Sequence, residues 1–209
     1  KRVAELAACG MKRVTLELGG SDPMLVCDDA DLEAAVLGAL RGRFYNCGQT
    51  CTAVKRLFVF ETVAEKFIKK LEAGIRNLRV GNGMHENIDM GPLNNRRQWE
   101  YIKKLVEDVE EKDEGRIVTG GRVPENSVCS KGFFFEPTLV ADVPRESRLL
   151  KEEVFGPVLP VVQVKDLDEA IEEANNTCYG LGASLWTKNL DKARKGCEQL
   201  NAGIIWLNQ

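Results

Sequence analysis

The segment RLFVFETVAEKFIKKLEAGIRNL, residues 56–78, changes its hydrophobic period part-way along. Residues 56–60 (RLFVF) form a short apolar run rich in aromatic and branched side chains, the composition of a buried strand. From Thr62 to about Leu78 the residues Val63, Phe67, Leu71 and Ile75 recur at every fourth position, which lays one apolar stripe along a helix. A strand running straight into an amphipathic helix is the building unit of α/β folds, and the rest of the chain repeats the alternation.

Towards the N-terminus, Asp29 or Asp31 caps a helix that runs to about Phe44, with Leu32, Val36, Ala39 and Leu40 on one face. Before it, residues 2–9 read as a helix stopped by Gly10, residues 13–18 (RVTLEL) as a strand leading into Gly19-Gly20, and residues 23–27 as a second short strand. Towards the C-terminus, Gly81-Asn82-Gly83 turns the chain into a helix from Asn95 to about Glu110. Strands are expected at 116–119, 133–140, 158–164, 183–186 and 204–207, with helices at 166–175 and 190–200. No linker or repeat divides the chain, so the pattern predicts an α/β domain. The sequence starts inside a helix without an initiating Met and stops at a strand, which reads as a piece of a longer protein.

Composition narrows the function. The 209 residues are 44% hydrophobic, enough for a core, and the formal net charge is −3. No basic run interleaved with aromatics points to nucleic acid. No apolar run approaches the ~20 residues of a membrane span, and no signal-peptide core is present. Seven cysteines without framework spacing suggest free thiols in a reducing compartment, the cytoplasm. Zinc is not expected: Cys47 and Cys51 make a lone CxxxC, and His85 is the only histidine. GxGxxG and GxxxxGK[ST] are both missing, so a dinucleotide would be held mostly by something else.

Chemistry concentrates in three places. The loop NCGQTCTA (46–53) carries Cys51 between Thr50 and Thr52, where small neighbours let a substrate approach and the residue's own N–H can help hold an oxyanion. Cys51 reads equally as a small buried hydrophobe, and Cys47 as its disulfide partner or as loop lining. A cysteine nucleophile needs a base or a stabilising dipole. His85 in GNGMHEN is one candidate base. Glu17, at the end of RVTLEL beside Gly19-Gly20, is another, placed where a strand's carboxyl end would face a crevice; its plain reading is a solvated glutamate. In KEEVFGPV (151–158), Glu153 and Phe155 can grip a ribose hydroxyl and a ring, or be a turn acid and a core anchor.

Taken in order, LELGG with Glu17, FYNCGQTCTA with Cys51 and EEVFGPV with Glu153 and Phe155 resemble the aldehyde dehydrogenase superfamily. MGPLNN (90–95), FFFEPTL (133–139), YGLGASLWT (179–187) and AGIIWLN (202–208) support it along essentially the whole chain. The resemblance implies an open, mostly parallel twisted sheet flanked by helices on both faces. It makes Cys51 the catalytic nucleophile and Glu17 the general base. Glu153 becomes the carboxylate on the nicotinamide-side ribose, Phe155 the ring beside the nicotinamide, and Gly19 part of the cofactor-facing segment. Asn208 matches the asparagine closing the family's AGxxWxN strand.

The implied reaction oxidises a small aldehyde with NAD or NADP through a thiohemiacetal and a thioester. No metal is implied, and the parent enzyme would be a homodimer or homotetramer. Residues 1–19 would be the tail of the dinucleotide-binding domain and 20–209 the catalytic domain. Most of the former would be absent, with the asparagine that completes the oxyanion hole, leaving the fragment alone inactive. A CoA-acylating relative and a silent, thiol redox-sensing domain are the alternatives. The wording CTAVKRL is similar to that of members acting on small polar aldehydes.

Overall fold

The structure, a computed structural model, describes residues 1–125 and 129–209. Helix α1 (Arg2–Cys9) buries none of its residues. The chain then passes through exposed backbone to β1 (Asp22–Val26), where burial becomes complete. Helix α2 (Leu32–Phe44) follows, its first turn capped by the Asp31 carboxylate, which accepts from the Glu33 and Ala34 N–H groups (both 3.1 Å). A 3-10 turn (Tyr45–Gly48) leads to β2 (Val54–Phe60) and α3 (Glu61–Arg76), then α4 (Arg96–Glu111), capped by Asn95. Strands β3 (Arg116–Thr119) and β4 (Thr138–Ala141), the single-turn α5 (Arg148–Lys151) and β5 (Val158–Val164) complete one half. Helix α6 (Leu167–Asn175), β6 (Gly182–Trp186), α7 (Leu190–Gln199) and β7 (Ile204–Leu207) follow.

Among the described residues the strands make one seven-stranded sheet in the order β3-β4-β5-β2-β1-β6-β7, parallel except for β3 against β4. The β1-to-β2 connection steps one way along the sheet and β5-to-β6 steps the other. Right-handed crossovers therefore put α2 and α6 on opposite faces. β2 shows both faces at once. Arg56 points at the end of α6, donating to the Glu173 (3.2 Å) and Ala174 (2.9 Å) carbonyls, and shares its side of the strand with Phe58 and Phe60. Lys55, Leu57 and Val59 point the other way. Covered twice, the central strands are apolar almost throughout, with Met24, Leu25, Val26, Leu57, Val59, Leu159 and Leu185 all at 0% exposure.

Two expected strands change. Residues 13–18 pair with nothing, and Val14, Leu16 and Leu18 stay exposed. Alternation makes a segment fit for a sheet, but a strand exists only against a neighbour, and none is supplied among the described residues. The strand expected over 133–140 is only Thr138–Ala141. Pro137 has no N–H to give a ladder, and the residues before it bond to loops: Phe133 O accepts from Leu93 N (2.9 Å), and Glu136 N donates to Arg122 O (2.9 Å). Among the described residues no helix is long and apolar enough to cross a membrane.

Candidate active site

The loops before β1, β2 and β5 meet at one edge of the sheet. Asp22 pairs with Val54 at the start of β1 and β2, and Leu57 pairs with Val161 in β5, so residues 19–21, 49–53 and 153–157 converge. This is the amino end of the parallel strands. The crevice expected at the carboxyl end of strand 13–18 is corrected in one respect: residues 13–18 form no strand, and the cleft that Glu17 lines is made by the amino ends of β1, β2 and β5. A cleft of about 710 Å³ there is lined by Glu17, Gly19, Cys51, Glu153 and Phe155, with Gln98 and Tyr101 from α4 on the far wall. All five residues singled out from the sequence thus face one hollow. His85 sits exposed in the α3–α4 connection and is not among the lining residues.

The Cys51 loop is held under backbone strain. Asn46 (φ 51°) and Cys47 (φ 56°) are both left-handed, followed by Gly48 at φ 72°. The Asn46 amide nitrogen donates to Gln49 O (3.0 Å), while the Gln49 amide nitrogen donates to Asn46 O (3.1 Å), closing the turn on itself. Gly48 lies so close to the next loop that a Cβ there would stand 2.3 Å from Gly156 O. Arg43, fully buried at the end of α2, stitches the two loops together. It donates to the carbonyls of Val54 (3.3 Å), Val154 (2.9 Å) and Gly156. Burial lowers its guanidinium to about 9, still protonated at neutral pH. Burial also pushes the Cys47 thiol up to about 12, with Arg43 opposing the shift. A thiol at 1% exposure and so high a pKa is a poor redox partner, so Cys47 reads as loop lining.

Cys51 is half-buried with a free thiol. A turn closed by Ala53 N–H on Thr50 O (3.2 Å) puts Cys51 and Thr52 at its corners. Thr50 and Thr52 face a second hollow of about 640 Å³ on the other side of the loop, shared with Phe44 and Tyr45. The Gly19-Gly20 pair serves close approach, since neither residue has positive φ. A Cβ on Gly19 would lie 2.2 Å from Glu153 Oε2, and one on Gly20 would lie 2.6 Å from Cys51 O. The Gly20 N–H donates to Glu153 Oε1 (3.1 Å), and Gln98 holds the Phe155 carbonyl (2.9 Å).

A second cation of the site, like Arg43, escaped sequence reading. Lys55, at 0% exposure, donates to the carbonyls of Thr50 and Cys51 (both 2.8 Å) and lies 3.5 Å from Glu153 Oε1. Its ammonium is also 5.8 Å from the centre of the Phe155 ring. Burial and then the charge of Arg43 lower its pKa, while Glu153 and Asp22 oppose them. The signal was the Lys-Arg pair opening the apolar strand VKRLFVF, where alternation sends one cation to each face of a buried sheet. Asn208, left open by the sequence, clamps two strand ends: its side chain accepts from Thr187 N and donates to Thr187 O (both 3.0 Å).

Comparison with known proteins adds relatives. The family model described as "Aldehyde dehydrogenase family" matches residues 1–209. Betaine aldehyde dehydrogenase of Brucella anthropi is 39% identical over 209 residues, covering 100% of this chain and 42% of the relative. Among solved structures, lactaldehyde dehydrogenase from Escherichia coli superposes with a TM-score of 0.92 at 38% identity, covering 100% of this chain and 43% of that one. Betaine aldehyde dehydrogenase from Staphylococcus aureus in complex with NAD+ gives 0.93 at 34% identity, covering 100% and 41%. The chain spans about two fifths of the length of the relatives it matches.

Proposed function

The chain belongs to the aldehyde dehydrogenase family, and from that membership we propose that it is the catalytic part of an enzyme oxidising an aldehyde to a carboxylic acid with NAD(P)+. The observation that carries the reading is the convergence of Cys51, Glu17, Gly19, Glu153 and Phe155 on one cleft. Residues 20–209 are the catalytic domain in this proposal, and residues 1–19, which bury no side chain, belong with the dinucleotide-binding domain.

The cleft fits the nicotinamide end of a dinucleotide. Gly19 leaves its wall bare where any side chain would strike Glu153, the Glu153 carboxylate can accept from ribose hydroxyls, and the Phe155 ring offers an apolar face. When bound, NAD(P)+ supplies the hydride acceptor. The chain's residues do the rest. The Cys51 thiolate attacks the aldehyde carbon, giving a thiohemiacetal whose oxyanion the Cys51 N–H helps hold. Loss of hydride leaves a thioester. Glu17 takes a proton from water, which adds to the acyl carbon; the C–S bond breaks, and acid and free Cys51 thiol are released. The hollow beside Thr50 and Thr52, the two neighbours of Cys51, is the space this proposal offers to the aldehyde's substituent. Betaine aldehyde and lactaldehyde, named for the relatives, set the class of small polar aldehydes to try first.

The same proposal places the parent enzyme in the cytoplasm as a homodimer or homotetramer, and takes the segment alone as inactive. The test uses the complete gene product. Cys51→Ala is expected to abolish aldehyde oxidation. Glu17→Gln is expected to leave a rapid burst of NAD(P)H followed by turnover slowed about 10²–10⁴-fold, the usual worth of a general base. Full steady-state turnover in Glu17→Gln removes Glu17 as the base.

A further inference from the structure

Lys55 is a buried ammonium whose surroundings answer all of its donors. A lysine ammonium has three N–H donors and no acceptor. Here the Thr50 and Cys51 carbonyls take two at 2.8 Å each, and Glu153 Oε1 stands 3.5 Å away. One carbonyl belongs to Cys51 itself, the other to the residue before it. The same Glu153 oxygen accepts the Gly20 N–H, and Gly20 packs against Cys51 O. Three chain segments that are far apart in sequence are thereby linked by a chain of polar contacts running from the Cys51 turn through Lys55 and Glu153 to Gly20.

Nothing about folding alone asks for a cation here. The strand interior on that face is apolar, continuing with Leu57 and Val59, both at 0% exposure. Removing an ammonium from water is costly unless it is fully paired. Its hydrogen bonds go to the backbone of the Cys51 turn, its ion pair is with Glu153, and the charge of buried Asp22 also acts on it.

We infer that Lys55 is a positioning residue that couples the carboxylate of Glu153 to the turn carrying Cys51. This rests on the reading of Cys51 as nucleophile and Glu153 as the ribose carboxylate given above. Lys55 is not among the residues lining the cleft. Its ammonium sets where Glu153 sits and how the Cys51 turn presents its thiol, so that a change at one is felt at the other.

The test is a double-mutant cycle, Lys55→Met against Glu153→Gln, in the complete gene product. Two quantities are read. One is the dissociation constant for NAD(P)+, from quenching of protein fluorescence. The other is the rate of Cys51 alkylation by iodoacetamide without cofactor, followed on the Cys51 peptide by mass spectrometry so that the exposed Cys9, Cys178 and Cys197 do not contribute.

Each single substitution is expected to change both quantities at least fivefold. The double variant should match Glu153→Gln alone in cofactor affinity, where Glu153 is the contacting group. It should match Lys55→Met alone in alkylation, where Lys55 is. Effects that simply multiply overturn the inference, as does a Lys55→Met protein within twofold of the parent in both. If Lys55→Met does not fold, Glu153→Gln decides: an unchanged Cys51 alkylation rate overturns the coupling, and a fivefold change supports it. The function fails separately, because aldehyde oxidation that survives Cys51→Ala removes the nucleophile whatever the cycle shows.

Discussion

Replacing Arg43 with Met tests what holds the nucleophile loop in its strained form. Methionine fills much of the same volume and donates nothing. Of the three carbonyls that lose a donor, Gly156 O keeps the Val158 N–H (2.9 Å), so the loss falls on Val154 and Val54. A hydrogen bond from a charged donor contributes about 1.5–3 kcal/mol, so two sum to about 3–6 kcal/mol. No longer having to bury a guanidinium offsets part of that, leaving about 2–4 kcal/mol. The same pin holds Asn46 and Cys47 left-handed, a conformation costing on the order of 1 kcal/mol per non-glycine residue that persists only while its surroundings impose it. Local opening that exposes Cys47 should therefore rise roughly 30- to 700-fold, at ~1.4 kcal/mol per tenfold. Iodoacetamide labelling of Cys47 under native conditions, followed on its peptide, reads this directly. A folded Arg43→Met protein that labels Cys47 within threefold of the parent would refute the pin.

Two further outcomes are expected. Gly19→Ala puts a Cβ 2.2 Å from Glu153 Oε2, so the carboxylate must swing off the Gly20 N–H; losing one such contact should weaken NAD(P)+ binding about tenfold in a fluorescence titration. An unchanged constant would show that Glu153 does not hold the cofactor in that pose. Asp29 sets a pH dependence at the far edge of the sheet. Burial opposes its ionisation, but hydrogen bonds from Thr187 Oγ1, Lys192 Nζ and the Lys188 N–H overcome it and hold its carboxyl down at about 2. A depressed acid stabilises the fold fully above its ordinary value of 3.8 and loses that contribution as pH falls through the folded value. Asp29→Asn should thus cost about 1–2 kcal/mol in urea unfolding at pH 7, discounted for partial exposure, and the gap to the parent should narrow as pH falls from 3.8 towards the folded value of about 2. A gap as wide at pH 2 as at pH 7 contradicts the assignment.

Much of the architecture was legible because it is local. The period of four in Val63, Phe67, Leu71 and Ile75, the cap at Asp31, and the helix starts at Asn95 and Asp166 each act within a turn or two of their own position. Motif order along the chain was legible too, and it led from LELGG, NCGQTCTA and EEVFGPV to the family. Strand 133–140 shortens to Thr138–Ala141 partly for a reason written in the sequence, Pro137, and partly because the residues before it bond to loops, which no local pattern shows.

The sequence by itself determined which segments are strands and helices in the body of the domain, and which residue types carry chemistry. Tertiary structure decided the rest. Strand order is a matter of pairing between distant segments, so only the folded sheet sets β5 beside β2 and brings three loops to the amino edge. A strand is also a relation, and RVTLEL shows the pattern without the partner. Above all, the charges that matter most to the site, Arg43 and Lys55, look in sequence like ordinary surface cations. Only in the folded chain do both meet carbonyls that no local pattern announces, because those carbonyls belong to every residue alike.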